Sequence, residues 1–180
     1  MRVLGIDPGS IVCGWGIIDF RNNGFSLVEY GVVKAGKTGL DFPERLKEIY
    51  LRLLKVIERT KPEAAAFETI FYSKNVQSLV KLSHARSVAI LAATLNNIPI
   101  FEHSPREIKK SVTGRGNASK EQVQYMVRKL LNIEETPEFY DSTDALAAAI
   151  CHALKPAGSS KNSKSWSEYL KENPGRVIKY

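Results

Sequence analysis

The feature that most limits the possible folds is an apolar run near the amino terminus that ends in a carboxylate. Val3, Leu4 and Ile6 lead into Asp7, and Pro8-Gly9 follows at once. A short aliphatic run closed by Pro-Gly predicts a buried strand and then a tight turn. Asp7 would then lie at the carboxyl end of a central strand, where open α/β sheets bind their ligands. A carboxylate there needs a positive partner, unless it only begins the turn by accepting backbone hydrogen bonds.

The remaining patterns predict a mixed sheet. Five runs have the character of strands, at residues 3–7, 11–20, 25–34, 64–68 and 98–102. Helical patterns cover residues 43–60, 76–95, 105–112, 119–131 and 141–154. The turn signal Asn22-Asn23-Gly24 makes the second and third strands an antiparallel hairpin. Since a helix precedes the fourth strand, that strand pairs parallel to the first through a crossover. We therefore expect an α/β fold, a mixed five-stranded sheet with helices on both faces.

Composition favours one folded domain followed by a tail. Residues 1–154 are long enough to bury a core, whereas residues 155–180 are rich in Ser, Lys, Gly and Asn and predict a flexible basic tail. Cys13 and Cys151 have neither metal-ligand spacing nor a disulfide framework. No apolar run reaches the roughly 18 residues that a membrane helix needs. We expect a protein of the reducing cytoplasm, with each cysteine a small buried residue and no membrane segment.

Charge is distributed unevenly along the chain, whose formal net charge is +7. Residues 74–129 hold 10 basic and 3 acidic side chains, whereas residues 130–154 hold 5 acidic and no basic ones. A basic middle beside an acidic segment suits a protein that binds a polyanion and also holds cations. The alternative is a solvated basic face without a partner.

Four acidic residues on three segments form a candidate metal site. Asp7 and Glu68 end strands predicted to be neighbours, and Asp141 and Asp144 share one face of the last helix. Asp141 alone could instead cap that helix or stabilise its dipole, but an apolar run directly follows Asp144. Four such acids repel one another without cations, and hard oxygen ligands select Mg²⁺ or Mn²⁺. Two of these ions can clamp an in-line phosphoryl displacement, so the pattern indicates a nuclease.

Four motifs carry a resemblance to a known family. They are Gly5-Ile6-Asp7-Pro8-Gly9-Ser10 with Gly14, Phe67-Glu68-Thr69-Ile70-Phe71, Lys109-Lys110 ahead of Gly114-Arg115-Gly116, and Asp141-Ser142-Thr143-Asp144-Ala145-Leu146-Ala147. In this order and spacing they resemble the RuvC family of Holliday-junction resolvases, over about residues 1–154. The resemblance implies an RNase H-like fold and a homodimer that makes paired, symmetric, Mg²⁺-dependent nicks in four-way DNA junctions, leaving 5′-phosphate and 3′-hydroxyl ends. It also implies a branch-migration complex as partner.

The resemblance assigns residue roles. Asp7, Glu68, Asp141 and Asp144 would be the catalytic carboxylates and would hold two Mg²⁺ ions per site, with Mn²⁺ as a substitute. Phe71 would stack on bases near the crossover, although a loop aromatic can equally cover the core. The basic positions matched to DNA contact are Lys109 and Lys120, which the family also links to catalysis, and, on weaker grounds, Lys74, Lys110 and Arg115. The long basic tail departs from the shorter family pattern.

Other readings remain open at this stage. An actin/Hsp70/sugar-kinase ATPase also opens with a strand, an Asp and a Gly turn, but needs two such halves. A noncatalytic junction binder would use the basic middle and leave the four acids unexplained. An RNase H-like nuclease acting on RNA or hybrids is a closer rival.

Two further expectations concern helix 76–95 and the histidines. That helix is apolar on more than one side, so we expect it to be buried on two sides, within the domain or against a second subunit. We interpret it as a candidate dimer interface. His84, His103 and His152 are expected to be satisfied or solvated rather than metal ligands.

Overall fold

A computed structural model describes residues 1–36, 39–70, 75–134 and 140–155. Its strands are β1 (Arg2–Asp7), β2 (Val12–Arg21), β3 (Gly24–Lys34), β4 (Ala64–Glu68) and β5 (Ile100–His103). They form one sheet in the order β3-β2-β1-β4-β5. β2 is antiparallel to both β1 and β3, whereas β4 is parallel to both β1 and β5. The predicted mixed sheet is confirmed, and β5 lies at its edge.

The helices of the described residues also match the predicted order. They are α1 (Phe42–Thr60), α2 (Val76–Thr94), α3 (Pro105–Thr113), α4 (Lys120–Leu131) and α5 (Tyr140–Ala153). The side chains of Asp41, Ser104 and Ser119 each accept a backbone N–H in the first turn of α1, α3 and α4. These caps satisfy donors that a helix leaves unpaired at its start, which is why the boundaries were readable in the sequence.

The sheet has helices on both faces, as predicted. One core contains Leu4 and Ile6 of β1 and packs against α1 and α2. The other contains Val3 and Ala66 and packs against α3, α4 and α5. Because alternate residues of a strand point to opposite faces, the odd-numbered positions of β1, including Asp7, face α5. The carboxyl end of β1 is therefore directed at the acidic start of α5.

Close packing of α5 on the sheet depends on residues that lack a Cβ. A Cβ at Gly5 would lie 1.8 Å from the carbonyl oxygen of Ala145, and one at Gly14 would lie 2.1 Å from that of Asp141. Both distances are far below any real contact, so only glycine fits at these positions. Gly14 pairs with Asp7 across β1 and β2. The glycines thus let the start of α5 approach the end of β1.

Helix α2 is buried on one side within its own domain, and burial of its other side against a second subunit stays a prediction. Within the single chain its buried residues are four alanines, Ala85, Ala89, Ala92 and Ala93. Val76, Val80 and Leu91 remain 56%, 47% and 50% exposed on the outer side. The helix therefore packs on the core through alanines and the partly buried Val88 and Ile90, and leaves the three outer side chains uncovered. Among the described helices, none combines the length and apolar character that a membrane span requires.

Candidate active site

Asp7 and Glu68 are the last residues of neighbouring parallel strands. The register pairs Ile6 with Phe67, so the two carboxylates follow side by side at one edge of the sheet. Both belong to the face that packs against α5, since Glu68 shares its side of β4 with Ala66. Asp141 lies in the first turn of α5 and Asp144 one turn later. The structure thus brings the four predicted acids, from three separate segments, to one place.

A pocket of about 300 Å³ opens beside these acids. Its polar lining consists of the side chains of Asp7, Glu68, Asp144, Lys109 and Lys120. The apolar part of its wall comes from α3, α4 and α5, with Pro105, Ile108, Val123 and Ala147. Asp141 is half-buried and lies outside this lining. Three acids and two lysines therefore face one concave space that is partly walled by apolar residues.

Asp7 is the most strongly perturbed acid of the site. Burial raises its pKa to about 7, and the charges of Asp144, Asp141 and Glu68 contribute in that order, while Lys120 opposes them. The pKa of Glu68 is also raised, first by burial and then by Asp144. Both shifts have the cause expected for carboxylates crowded in a partly desolvated place. The cluster therefore holds more negative charge than its neighbours offset.

Lys120 is the cation that lies within the acid cluster. Its Nζ donates to Oδ2 of Asp144 at 2.9 Å, and this hydrogen bond is the main reason that the pKa of Lys120 is raised. The same Nζ lies 5.9 Å from the centroid of the Tyr140 ring. Sequence reasoning assigned Lys120 to DNA contact, and the structure places it against a carboxylate of the site.

The donor set fits a hard divalent cation, although the side chains are not drawn together into a ligand shell. Among the described residues, no three His, Cys, Asp or Glu side chains form a group that could hold a metal ion as placed. The donors that face the pocket are carboxylate oxygens, which Mg²⁺ prefers. Burial is the main cause of the raised pKa of Asp7, the neighbouring carboxylates add to it, and a nearby cation would offset both. Oδ2 of Asp144 already accepts from the Lys120 ammonium, so a metal bound at Asp144 would share that carboxylate with Lys120 or displace it.

The other predicted DNA-contact residues differ in their position relative to the acid pocket. Lys109 lines the acid pocket and also an adjoining open concavity of about 620 Å³. Lys110 and Arg115 are exposed and lie outside the lining of both. Phe71 and Lys74 lie outside the described residues.

Sequence reasoning missed three polar residues near the site. Arg106 and Asn117 line the open concavity beside Lys109, and Tyr140 lies next to Lys120. The basic bias of residues 74–129 includes Arg106 but could not single it out. Tyr140 precedes Asp141 in the sequence, and no pattern indicated that its ring would meet a lysine from another helix.

The expectation of satisfied or solvated histidines holds for His84 and is wrong for His103 and for Nδ1 of His152, which likewise has no hydrogen-bond partner among the described residues. Nδ1 of exposed His84 lies 2.7 Å from the carbonyl oxygen of Val80. His103 is only 2% exposed, and neither of its ring nitrogens has a hydrogen-bond partner among the described residues. Its ring stacks on that of His152, with centroids 5.5 Å apart. Both cysteines are buried and unpaired, as predicted.

The sheet order and the carboxylates at the ends of β1 and β4 define an RNase H-like α/β protein. The family model described as crossover junction endodeoxyribonuclease RuvC matches residues 3–152. The chain belongs to the RuvC family. A RuvC protein from Chloroherpeton thalassium is 46% identical over 187 residues, covering 99% of this chain and all of that protein. One from Cytophaga hutchinsonii is 42% identical over 175 residues, covering 97% of this chain and 87% of that protein.

Solved structures give the same result. The structure of Thermus thermophilus RuvC in complex with Holliday junction substrate aligns with a TM-score of 0.80 at 34% identity, covering 85% of this chain and 93% of that chain. A yeast mitochondrial Holliday junction resolvase aligns with a TM-score of 0.58 at 17% identity, covering 84% of this chain and 75% of that chain. The second likeness concerns the fold alone.

Proposed function

We propose that this chain is a structure-specific DNA endonuclease that resolves four-way junctions by Mg²⁺-dependent hydrolysis of phosphodiester bonds. The observation that carries the proposal is the pocket in which Asp7, Glu68 and Asp144 face Lys109 and Lys120. Membership of the RuvC family supports it, since the matching family model bears the name crossover junction endodeoxyribonuclease. Each subunit cuts one strand of the junction.

The four acids are proposed as the metal-holding set. Asp7 and Glu68 would hold the ions from the sheet, and Asp141 and Asp144 would complete the set from α5. Two bound Mg²⁺ ions, or Mn²⁺ in their place, would polarise the scissile phosphate and stabilise the charge that develops on the attacking and leaving oxygens. The buried position of Asp7 suits this role, because its carboxylate gains most from a nearby cation.

The lysines are proposed to bind the scissile strand. Lys109 and Lys120 point their positive charge into the pocket and would hold non-bridging oxygens of the phosphate. Beyond Lys109, the open concavity with Arg106 and Asn117 continues the basic surface and would receive the adjoining backbone. Lys110 and Arg115 would add phosphate contacts further out, and Phe71 and Lys74 keep their expected roles as proposals.

A homodimer is proposed through the outer face of α2. A symmetric pair of cuts needs two sites, and Val76, Val80 and Leu91 form an exposed apolar stripe that a second copy would cover. The branch-migration complex remains a proposed partner on family grounds, the cytoplasm is the proposed location, and residues 155–180 are proposed as a separate basic tail.

Charge-neutral variants of the acids test the proposal. Asp7→Asn and Asp144→Asn should bind a four-way junction as wild type does while cleaving it at least 100-fold more slowly in Mg²⁺. The matched control is Glu58→Gln, which removes one exposed carboxylate on α1, on the far side of the sheet. It should cleave at the wild-type rate. Equal cleavage by all three variants would remove the acids from the mechanism.

The same assay separates the competing functions. Tight junction binding without cleavage in Mg²⁺ or Mn²⁺ would favour the noncatalytic binder. Preferential cleavage of an RNA–DNA hybrid would favour a general RNase H-like nuclease. Saturable ATP binding would revive the ATPase reading.

A further inference from the structure

The ammonium of Lys120 has two neighbours that come from the same helix. Asp144 accepts its hydrogen bond at 2.9 Å, and the ring of Tyr140 lies 5.9 Å from it, both on α5. The side chain of Lys120 is itself 63% exposed. A long, exposed lysine side chain normally samples many rotamers, so two contacts at its tip fix a position that one ion pair would hold weakly.

We infer that the aromatic ring of Tyr140 is a positioning element that holds the Lys120 ammonium at the mouth of the acid pocket. The inference rests on the proposed nuclease function, in which Lys120 binds the scissile phosphate. Tyr140 touches neither the substrate nor the acids in this account, and it acts only through Lys120.

The ring matters most when a cation occupies the acid cluster. A metal held by Asp144 would share that carboxylate with Lys120, so the ion pair would weaken as the site fills. The negative face of an aromatic ring attracts an ammonium within about 6 Å without using a carboxylate. Tyr140 therefore keeps the positive charge beside the phosphate position after Asp144 has been taken over. This positioning role requires the aromatic ring of Tyr140 and does not require its hydroxyl group.

A double-mutant cycle tests this role. Tyr140→Leu should lower the single-turnover rate of junction cleavage roughly two- to five-fold, the effect of a cation–π pair at an exposed site, with junction affinity unchanged. Tyr140→Phe should restore the rate, because it keeps the ring. In a Lys120→Met background, Tyr140→Leu should have no further effect. An equal loss in both backgrounds would show that Tyr140 acts on the fold and would overturn the inference.

The chain offers a matched control on α4. Nζ of Lys129 lies 5.8 Å from the ring of exposed Tyr125, an equivalent lysine–tyrosine pair away from the pocket lining. Tyr125→Leu should cleave at the wild-type rate. A loss there equal to that of Tyr140→Leu would contradict the inference.

A spectroscopic measurement decides the inference even if wild type does not cleave. Lysines dimethylated with ¹³C keep their charge, and Lys120→Arg assigns the Lys120 resonance. A methyl group over an aromatic ring is shifted upfield. The shift should be present in wild type and Tyr140→Phe and absent in Tyr140→Leu. An unchanged Lys120 resonance in Tyr140→Leu would refute the contact between Lys120 and the Tyr140 ring. If wild type shows the upfield shift but does not cleave junctions, only the proposed function is refuted.

Discussion

Asp7 is more deeply buried than Glu68, and the charges of three other carboxylates crowd it. Its pKa of about 7 means that the folded chain retains a proton that the unfolded chain has released. Between pH 4 and pH 7 the folded state therefore binds more protons, and this group lowers the stability as the pH rises. Above pH 7 the full loss of stability caused by the ionised Asp7 is present until a cation offsets it.

Asp7→Asn should therefore stabilise the metal-free protein at pH 8. The gain in the free energy of unfolding is at most about 4 kcal/mol, since one pKa unit corresponds to about 1.4 kcal/mol. It should shrink to well under about 1 kcal/mol at pH 4, where Asp7 is protonated in the folded state and about half protonated in the unfolded chain. Urea unfolding of both proteins in EDTA at the two pH values measures the difference. A variant less stable than wild type at pH 8 would contradict this account of the site.

His103 provides a second prediction for a single residue. Burial and the nearby charges of Lys155 and His152 lower its pKa to about 4. From pH 6.5 down to pH 4 the unfolded chain binds a proton that the folded chain does not, so acidification destabilises the protein. An unsatisfied buried polar group also costs about 1–3 kcal/mol.

His103→Phe should thus raise the free energy of unfolding at pH 7 and raise it further at pH 5. Thermal unfolding at both pH values measures this, with His84→Phe on the exposed part of α2 as the control. The prediction fails if the gain from His103→Phe is the same or smaller at pH 5.

At the scale of elements, helix α5 connects the fold to the site. It packs on β1 and β2 through glycines, and its first two turns carry Asp141 and Asp144. Gly14→Ala would force the carbonyl of Asp141 away from the sheet. Displacing a catalytic group by about 1 Å can cost about 100-fold in rate.

We expect Gly14→Ala to lose at least tenfold in cleavage and about 1–3 kcal/mol in stability, as overpacked cores do. Gly24→Ala is the control, because its added Cβ would meet one atom at the ordinary distance of 3.5 Å. Cleavage rates and unfolding curves of both variants measure the losses of activity and of stability. Wild-type cleavage by Gly14→Ala would show that α5 need not pack so closely.

The elements were more predictable than the contacts between them. Each element formed close to where a local sequence signal predicted it. These signals are the alternating and aliphatic runs, the Ser caps, and the Asn22-Asn23 turn, which has positive φ at both residues. The sequence did not predict which face of α2 is buried, because the hydropathy of its alanines differs little from that of the neighbouring residues. The Lys120–Asp144 contact and the unpartnered His103 depend on tertiary packing between distant segments, which no local pattern encodes.

For the whole molecule, the exposed stripe on α2 is the feature that points to assembly. Leu91→Glu should make the protein monomeric by placing a charge where an apolar partner is expected. Its stability as a single chain should change little, since surface substitutions usually stay within about 0.5 kcal/mol. The control is Leu51→Glu on α1, at a side chain that is 40% exposed. Sedimentation of wild type and the two variants measures their oligomeric states. A Leu91→Glu variant that remains dimeric would exclude this face of α2 as the dimer interface.

We propose that one pocket of crowded acids and lysines cuts DNA at four-way junctions. Incubating the wild-type chain with an immobile four-way junction and with linear duplex of the same sequence, in Mg²⁺ and in EDTA, tests this function. We expect symmetric nicks in two strands of the junction, none in the duplex, and none in EDTA. Equal cutting of junction and duplex, or cutting that persists in EDTA, would overturn the proposed function.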